Sequence, residues 1–403
     1  MKACMTILFF NTFYYPKQVG GAEISVQLMA ERLVKAGHRV FVITSGNRKT
    51  INHRNGVVII RIKQRNVFST YSNSRRKGRA VKTIWHIWDS CNPLNSFLIS
   101  GILKRVKPDV VHTNNIQGFS PFIWAIVKFH GLRLIHTLRD YYLLCHRNTL
   151  YQKDIPCESL CWSCKITYHI KKNFSRYPDC YVGISNFVLD KHVARLPMEK
   201  QRKVVIYNVV DAPAQPSRRI NGGKELVFGF IGRLTTAKGV VYLAREIAAM
   251  NTLLRDDFKV VFGGTGDPEM IGHLQQILKG VRFEFPGFVE PASFFNEIDL
   301  LIVPSLWDEP FGRIVIESLS YEVPVCLARS GGLHELHRPD CTWSFDPAPG
   351  VLCELLEAIL RHKHEIQQKR EGCRRSAAQF APDHHDRQYL ALYNEKRTNV
   401  ASP

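Results

Sequence analysis

Residues 300–321 read LLIVPSLWDEPFGRIVIESLSY, and this stretch determines the fold that we expect. The apolar run at its start is typical of a buried strand, and the apolar periodicity after the turn Pro310-Phe311-Gly312 is typical of a helix. A strand that turns directly into a helix is the building unit of open α/β sheets, which bind ligands beyond the carboxyl ends of their strands. The turn is therefore the first candidate for a functional site.

Two carboxylates flank this turn, Glu309 and Glu317. Eight residues of helix would separate them by roughly 12 Å. The spacing alone is uninformative, because the chain contains 19 Glu and three pairs at this spacing: Glu23/Glu31, Glu309/Glu317 and Glu357/Glu365. The strand and turn around the middle pair are what distinguish it.

Short β-branched runs alternate with helical patterns along the rest of the chain. The predicted strands cover residues 7–10, 39–44, 57–62, 109–112 and 134–137 in the first half, and 226–231, 259–262, 281–285, 300–303 and 323–327 in the second. The predicted helices cover residues 21–36, 240–254, 269–279, 312–321 and 351–369. This alternation predicts an α/β fold of two doubly wound, Rossmann-like domains that face each other across a cleft.

The length of 403 residues favours two domains, and a Pro/Gly/Ser-rich stretch separates them. We expect an N-terminal domain over residues 1–211, a linker over 212–225 and a C-terminal domain over 226–382. A final helix in residues 383–403 is expected to pack back toward the N-terminal domain.

The positive charge of the chain is concentrated in its first half. Residues 1–211 carry 33 Lys and Arg against 11 Asp and Glu, whereas the remainder carries 22 against 24. Such asymmetry implies an anionic partner for the first half, whether lipid headgroups, nucleic acid or an acidic small molecule. Eleven Cys, together with the absence of a secretion signal or a membrane-length apolar run, indicate a cytoplasmic protein that is soluble or peripheral.

The loop over residues 232–239 follows a predicted strand and carries Arg233 and Lys238. A guanidinium fork and an ammonium point charge suit a diphosphate at a helix N-terminus. Two solvated surface cations would give the same sequence, so the loop alone leaves both interpretations open.

Two further glycine turns follow predicted strands. Gly264 and Gly266 permit close approach of the backbone to a base or phosphate, although an ordinary glycine turn explains them equally well. Gly20 and Gly21 open the first predicted helix, where their amides could meet a phosphate or sugar. The G-x-G-x-x-G order of a Rossmann fingerprint is missing.

The ordered series of motifs resembles the retaining, nucleotide-sugar-dependent glycosyltransferases of family 4, which have the GT-B fold. The resemblance runs nearly end to end. It rests on Gly20-Gly21, Pro108-Asp109-Val110-Val111-His112, His136-Thr137-Leu138-Arg139-Asp140-Tyr141, Gly183-Ile184-Ser185, Ile206-Tyr207-Asn208, Gly232-Arg233 with Lys238-Gly239, Gly287-Phe288-Val289, the stretch from Glu309 to Glu317, and Gly331-Gly332-Leu333-His334-Glu335.

The resemblance implies a role for each matching residue. Arg233 and Lys238 neutralise the donor diphosphate, Glu317 holds the ribose hydroxyls, and Glu309 faces the donor sugar. The rest of the implied donor-binding set is Gly20, Gly21, Gly264, Gly266, Phe288, Phe311 and Gly312. It also implies transfer with retention through an oxocarbenium-like path, in which the leaving phosphate oxygen takes the acceptor proton. No catalytic cofactor is implied, and the chain contains no Asp-x-Asp of the kind used by metal-dependent transferases.

The sequence departs from the family at Arg139, where many relatives have a His that lines the donor sugar. Here the order is Arg139-Asp140-Tyr141, with His136 three residues earlier. Because Arg cannot act as a base at neutral pH, Arg139 has an electrostatic role, or the donor differs, or the activity is altered. We predict Glu309, Arg139 and His136 as the catalytic set.

Other activities on the same fold are a sugar-nucleotide epimerase, which would form product without an acceptor, and a phosphorylase, which would need a Lys-bound pyridoxal group. A basic nucleic-acid-binding protein would explain the charge asymmetry. The chain has no helix-turn-helix, zinc-finger or RNA-recognition signature, so we expect no nucleic-acid partner.

Four cysteines fall within twenty residues after the Arg139 segment: Cys145, Cys157, Cys161 and Cys164. Four thiolates on a long loop could hold a structural zinc ion in tetrahedral geometry. Reduced thiols packed under the loop, or a redox pair in Cys161-Trp162-Ser163-Cys164, are the alternatives.

Basic residues and aromatic residues are interleaved in the first half. The segments are Arg75-Arg76-Lys77-Gly78-Arg79, Trp85, His86 and Trp88, Phe97-Leu98-Ile99, Lys104-Arg105-Val106-Lys107 and Lys171-Lys172-Asn173-Phe174. This composition suits a headgroup surface, so we predict an anionic glycolipid or lipid-linked oligosaccharide acceptor and peripheral binding at the inner face of the cytoplasmic membrane. A solvated basic face with a soluble acceptor is the alternative.

Overall fold

A computed structural model describes residues 4–17, 20–69, 78–152, 154–211 and 225–395. The chain divides into two compact units. The first contains residues 1–150, 157–207 and 383–403, and the second contains residues 151–156 and 208–382. The predicted linker lies, except for Glu225, outside the described residues, as do Arg75, Arg76 and Lys77 of the basic segment.

The described part of the first unit is built on one eight-stranded sheet. In chain order its strands are β1 (Thr6–Phe10), β2 (Arg39–Gly46), β3 (Thr50–Arg54), β4 (Val57–Lys63), β5 (Val110–Thr113) and β6 (Arg133–Leu138). The short hairpin β7 (Tyr151–Gln152) and β8 (Ile155–Pro156) follows and is grouped with the second unit, and β9 (Cys180–Gly183) and β10 (Arg202–Val205) complete the sheet. The strand order is β10-β9-β6-β5-β1-β2-β4-β3, parallel throughout except for the antiparallel edge strand β3.

Helices connect these strands, and one returns from the far end of the chain. They are α1 (Gly21–Lys35), α2 (Arg79–Ser90), α3 (Ser96–Val106), α4 (Phe122–Phe129), α5 (Trp162–Phe174) and α6 (Asn186–Val193). The last helix of the chain, Pro382–Asn394, contributes Tyr389, Leu390, Leu392 and Tyr393 to the same apolar core as β1, β2 and α1.

The second unit is a six-stranded parallel sheet with the order β13-β12-β11-β14-β15-β16. Its strands are β11 (Leu226–Ile231), β12 (Phe258–Gly263), β13 (Phe283–Gly287), β14 (Leu300–Val303), β15 (Val325–Ala328) and β16 (Thr342–Phe345). Its helices are α7 (Val240–Ala249), α8 (Pro268–Ile277), α9 (Pro291–Glu297), α10 (Arg313–Ser320), α11 (Val351–Arg361) and α12 (His364–Ala378), so that the C-terminal helix is α13 (Pro382–Asn394). Short 3-10 turns lie at Thr236–Lys238, Thr252–Asp257 and Gly331–Leu336.

An aspartate directly before a strand fixes the neighbouring strand at three places. Asp109 accepts a hydrogen bond from the Thr6 amide at 2.6 Å, so that β5 starts level with β1. Asp179 accepts from the Leu134 amide at 2.8 Å, and Asp299 accepts from the Val227 amide at 2.9 Å. The same contact therefore aligns β9 with β6 and β14 with β11.

The predicted fold class is confirmed, since both units are parallel α/β layers with buried central strands. The predicted helix over 351–369 is wrong in one respect, because the chain forms two helices that break at His362 and Lys363. Likewise, the helix predicted for 240–254 ends at Ala249 and a 3-10 turn follows. Among the described residues, no helix is long and apolar enough to cross a membrane.

Candidate active site

Strands β11 and β14 lie side by side although they are far apart in sequence, with Phe228 opposite Leu300 and Gly229 opposite Leu301. Strands on one side of this pair follow in the order β12, β13, and on the other side in the order β15, β16. The order in which strands are added to the sheet therefore reverses between β11 and β14, and the loops that leave their carboxyl ends diverge. In open α/β sheets this switch point forms the ligand-binding crevice.

The loop after β11 and the loop after β14 are locked together. Gly239 has φ 75° and lies so close to the β14 loop that an added Cβ would be 1.8 Å from the Pro304 carbonyl oxygen. The Leu306 amide also donates to the Ala237 carbonyl oxygen at 3.0 Å. The backbone of one loop thus fixes the position of the other.

Glu309 is buried in the loop after β14, and one oxygen of its carboxylate makes two polar contacts. Its Oε1 accepts a hydrogen bond from the Ser305 hydroxyl at 2.8 Å and forms an ion pair with the Lys238 ammonium group. Its backbone carbonyl accepts from the Gly332 amide at 2.6 Å. Lys238 also lies 5.4 Å from the centre of the Trp307 ring. The structure therefore joins the two predicted residues Lys238 and Glu309 directly.

Glu317 lies one helical turn after Arg313 on α10 and pairs with it at 2.9 Å. Burial raises the pKa of the Glu317 carboxyl, and the Arg313 guanidinium opposes this increase. Gly312 caps the helix with φ 98°, and an added Cβ would be 2.2 Å from Leu333 Cδ2. The Phe311 side chain is buried against Phe380, so only the Phe311 backbone is available near the helix start.

Arg233 is exposed and makes no hydrogen bond or ion pair with the described residues. Its loop is held against the loop that follows β12, because the Leu234 amide donates to the Thr265 carbonyl oxygen at 2.9 Å. That bond brings the glycine turn at Gly264 and Gly266 next to the Arg233 loop, and a β-bridge pairs Leu234 with Gly266. Phe288, after β13, has 83% of its surface exposed.

In the first unit, Gly20 and Gly21 lie at the start of α1, as the sequence predicts. The Gly20 amide donates to the carboxylate of Glu23 at 2.8 Å, and Glu23 is itself buried. A carboxylate at this position satisfies an amide that an anionic ligand would otherwise use. The Glu23 charge also contributes to the raised pKa of Asp140, although burial of Asp140 is the main cause.

Arg139 follows β6 and is buried, with its Nε donating to Asn114 Oδ1 at 2.7 Å. His136 lies within β6 and is also buried. Its Nδ1 is 2.9 Å from the Thr113 hydroxyl, and its ring packs against Trp124. Burial lowers the pKa of His136 to about 3, with a further contribution from His192, so the ring is neutral at physiological pH.

A polar network that the sequence did not predict lies beside Arg139. His112 Nδ1 is 2.7 Å from the Tyr393 hydroxyl, and His112 Nε2 is 2.7 Å from the Thr137 hydroxyl. Thr137 is in turn 3.2 Å from the Tyr389 hydroxyl. Local sequence gives no signal for contacts that join residue 112 to residue 393. Ser305 was missed for another reason, since a serine after a strand has many ordinary explanations.

The cysteine cluster contains a buried thiol pair, Cys145 and Cys164, and the Cys161 thiol also makes a hydrogen-bond contact with Cys164. Cys145 and Cys164 are buried with their sulfur atoms 3.5 Å apart, whereas Cys157 and Cys161 are partly exposed. In the described ranges, no group of three or more His, Cys, Asp or Glu side chains is arranged to hold a metal ion. The four thiols do not form a ready tetrahedral set, and zinc stays a prediction.

The predicted headgroup surface is only partly at the surface. Trp85 is buried and stacks on Phe68, and Ile99 is buried in α3. Lys171 is buried with its ammonium 2.7 Å from the Tyr142 carbonyl oxygen and 3.6 Å from the Tyr142 ring centre. These three residues belong to the interior, because their neighbours cover them.

Comparison with known proteins links this geometry to a family. Residues 19–212 match the family described as Glycosyltransferase Family 4, and residues 225–361 match Glycosyl transferases group 1. A protein from Klebsiella pneumoniae, described as an uncharacterized 42.6 kDa protein in the cps region, is 35% identical over 337 residues, which is 83% of this chain and 88% of that protein.

Two solved structures share the fold. Sucrose-phosphate synthase from Thermosynechococcus elongatus superimposes with a TM-score of 0.75 at 18% identity, covering 96% of this chain and 98% of that one. HepE from Anabaena, solved in complex with UDP, gives a TM-score of 0.72 at 15% identity, covering 96% and 99%. The fold is GT-B, and the chain belongs to the group 1, family 4 glycosyltransferases.

Proposed function

We propose that this glycosyltransferase moves a hexose-type sugar from a nucleotide-sugar donor to a glycan or lipid-linked acceptor in cell-surface polysaccharide synthesis. The observation that carries this proposal is the Lys238–Glu309–Ser305 cluster at the switch point between β11 and β14. The Klebsiella relative from a cps region supports the polysaccharide context, and the UDP complex of HepE supports a nucleotide-linked donor.

The donor diphosphate is assigned to Arg233 and Lys238. Arg233 is exposed and ready to form charge-assisted bonds with phosphate oxygens. Lys238 forms an ion pair with Glu309, and a donor diphosphate would give its ammonium group a second anionic partner. The amides at the start of α10 face the same negative charge, and Glu317 anchors the ribose hydroxyls.

The reaction we propose breaks the bond between the anomeric carbon and the phosphate oxygen and forms a bond to the acceptor oxygen on the same face. Electrons of the broken bond remain on the nucleotide diphosphate, which takes the acceptor proton. Glu309 stabilises the developing positive charge on the sugar, and Arg233 and Lys238 stabilise the leaving diphosphate. We assign Arg139 an electrostatic role toward sugar or phosphate. We remove His136 from the catalytic set that the sequence suggested and assign it to the support of the β6 end, because its ring is buried between Thr113 and Trp124.

Catalysis by fixed cations is proposed to need no divalent metal. Turnover that is unchanged by a chelator and by added Mg²⁺ or Mn²⁺ is the expected result. A strict requirement for either ion would contradict this part of the mechanism.

The test of the activity is nucleotide release from a panel of sugar nucleotides, with and without crude lipid-linked acceptors. A transferase releases nucleotide diphosphate and labels the acceptor, and NMR of the product reports the anomeric configuration. Conversion of the donor without acceptor would favour an epimerase, and phosphate-dependent cleavage of a glycan would favour a phosphorylase. An inverted product would contradict retention.

For the acceptor side we propose an anionic glycolipid at a membrane surface, and the support is a set of exposed apolar and basic residues on α2 and α3. Ile84 and Trp88 are one turn apart on α2 and exposed, and Phe97 at the start of α3 has 94% of its surface exposed. Lys104 and Arg105 are exposed at the other end of α3. Exposed aromatic residues with nearby cations are typical of an anionic interface.

Liposome flotation with anionic and neutral vesicles tests this surface. We expect binding to anionic vesicles that weakens at high salt, and a marked loss in the Trp88→Ser, Phe97→Ser double variant. Leu253→Ser, at another exposed apolar residue, is the matched control and should float like the wild type. Failure to bind either vesicle type would contradict a membrane surface and favour a soluble acceptor.

A further inference from the structure

The thiols of Cys145 and Cys164 are a buried pair in contact. Their sulfur atoms are 3.5 Å apart, and both residues are 3% exposed. Cys145 lies in the loop that follows Arg139, and Cys164 lies in the first turn of α5. A disulfide needs the two sulfurs at about 2.05 Å, so the pair is separated from bonding distance by a shift of roughly 1.5 Å.

Hydrogen bonds around the pair fix the loop and the helix that carry the two thiols. The Lys171 ammonium on α5 donates to the Tyr142 carbonyl oxygen in the loop, at 2.7 Å. The Cys145 amide donates to the Tyr141 carbonyl oxygen at 2.8 Å, which makes a tight turn of the loop around the sulfur. Both elements that carry the pair are therefore held by hydrogen bonds that do not involve the two sulfurs.

The two sulfurs are chemically unequal. Cys145 Sγ accepts hydrogen bonds from the Cys164 thiol and from the Arg147 amide, the latter at 3.4 Å. Cys164 Sγ also lies 3.2 Å from His146 Nδ1, and the partly exposed Cys161 thiol makes a hydrogen-bond contact with Cys164. Donors directed at Cys145 stabilise electron density on that sulfur, so Cys145 is the nucleophile of the pair.

We propose that Cys145 and Cys164 form a reversible disulfide when the protein meets a peroxide, and that they act as a dithiol pair rather than as half of a zinc site. Cys145 attacks the peroxide oxygen and becomes a sulfenic acid as the first water or alcohol leaves. The Cys164 sulfur then attacks the sulfenic sulfur, and its proton leaves with the hydroxyl as water. Two thiols and one hydrogen peroxide give one disulfide and two waters.

Oxidation would tie the loop after β6 to α5 six residues beyond Arg139. This consequence rests on the proposed function, because it concerns a residue assigned to the donor. Formation of the disulfide does not rest on the proposed function, since the bond is detected without any turnover.

The experiment uses the full chain, purified under reducing conditions, freed of reductant and treated with hydrogen peroxide. Remaining thiols are alkylated before digestion without reduction. Trypsin leaves Cys145 in residues 140–147 and the other three cysteines in residues 154–165. The expected result is a linked pair of these peptides that separates on reduction, and a further cut after Trp162 assigns the bond to Cys164.

Serine variants provide the matched comparison. Cys164→Ser should abolish the link, whereas Cys157→Ser and Cys161→Ser should retain it. Alkylation of both Cys145 and Cys164 after peroxide treatment, or a link from Cys145 to Cys157 or Cys161, would overturn the proposal. Stoichiometric zinc in the purified protein, lost in these three variants and in Cys145→Ser, would overturn it in favour of a metal site.

Discussion

At the scale of single residues, Glu309 is buried in the second unit with a hydroxyl and an ammonium group as partners. One carboxylate oxygen receives both the Ser305 hydroxyl and the Lys238 ammonium group. Glu309→Gln keeps the shape and removes the charge. Because a fixed charge at a developing ion contributes strongly to catalysis, we expect kcat to fall about 10²–10³-fold with a much smaller change in KM.

The measurement is steady-state kinetics with a confirmed donor. Glu371→Gln is the control, since Glu371 is exposed on α12 and should leave both constants unchanged. Wild-type kcat in the Glu309 variant would remove this residue from the proposed chemistry.

Arg233 should act on donor binding and not on stability. It is exposed and makes no hydrogen bond or ion pair with any described residue, so its removal breaks no such bond. A charge-assisted bond to phosphate contributes about 1.5–3 kcal/mol, so Arg233→Ala should weaken donor binding roughly 10–100-fold.

Isothermal titration with the nucleotide diphosphate measures this directly. Arg245→Ala changes another exposed arginine, on α7, and should bind like the wild type. Equal affinity in both variants would mean that Arg233 is only a solvated surface cation.

His136 should make stability depend on pH. Its pKa is lowered to about 3 in the folded protein, below the usual 6.5, so the unfolded chain binds the proton more readily. The contribution of neutral His136 to the free energy of unfolding is therefore fully present above pH 6.5 and is lost as the pH falls toward 3. At pH 5 the loss is about 2 kcal/mol relative to neutral pH.

Denaturant unfolding of the wild type and of His136→Gln at pH 7.5 and pH 5 measures the pH-dependent contribution of His136 to stability. The difference between the two proteins should shrink by that amount at the lower pH, whereas His273→Gln, at an exposed histidine, should run parallel to the wild type. A constant difference for His136→Gln would show that the ring is not kept neutral by burial.

At the scale of elements, much of the second sheet follows from local sequence. Strands β11 and β14 have the predicted bounds, because each is a continuous apolar run with turn residues on both sides. The edge strand β3 was not predicted, since its sequence TINHR has the composition of a polar loop and its partner β4 alone makes it a strand. The break at His362 and Lys363 was missed because the apolar periodicity of α11 continues into α12.

The locked loops at the switch point give an element-scale prediction. Gly239→Ala would put a methyl group at a positive φ and against the Pro304 carbonyl oxygen, so the loop after β11 must move away from β14. We expect a loss of about 1–3 kcal/mol in stability and weaker donor binding through Lys238.

Gly272→Ala is the opposite case. Gly272 lies inside α8 with open space around its Cβ position, so alanine should stabilise the protein by about 0.5–1 kcal/mol. Denaturant unfolding of both variants checks the pair. An unchanged free energy of unfolding in Gly239→Ala would mean that the two loops are not held against each other.

At the scale of the whole molecule, the site residues could be chosen from sequence but their partners could not. Lys238 and Glu309 were identified separately, and their ion pair depends on the register of β11 with β14. Trp85 and Lys171 have surface-like sequence contexts, yet Phe68 and Tyr142 cover them. Such coverage is set by elements distant in sequence, which local patterns do not encode.

The bond between His112 and Tyr393 gives a prediction at this scale, because it joins β5 to the last helix. Tyr393→Phe leaves a buried ring nitrogen without its hydroxyl partner, which should cost about 1–3 kcal/mol. Tyr177→Phe, at a partly exposed tyrosine, should change stability by less than about 0.5 kcal/mol. Denaturant unfolding compares the two, and equal stability would exclude a structural role for the bond.

The position of α13 also governs how the chain is made. Tyr389, Leu390, Leu392 and Tyr393 belong to the core of the first unit but are synthesised after residues 208–382. At 5–20 residues per second, the ribosome needs on the order of 10–40 s to produce that intervening segment. During this interval the nascent first unit exposes the apolar face that α13 later covers, so its final stability is acquired only when translation is almost complete.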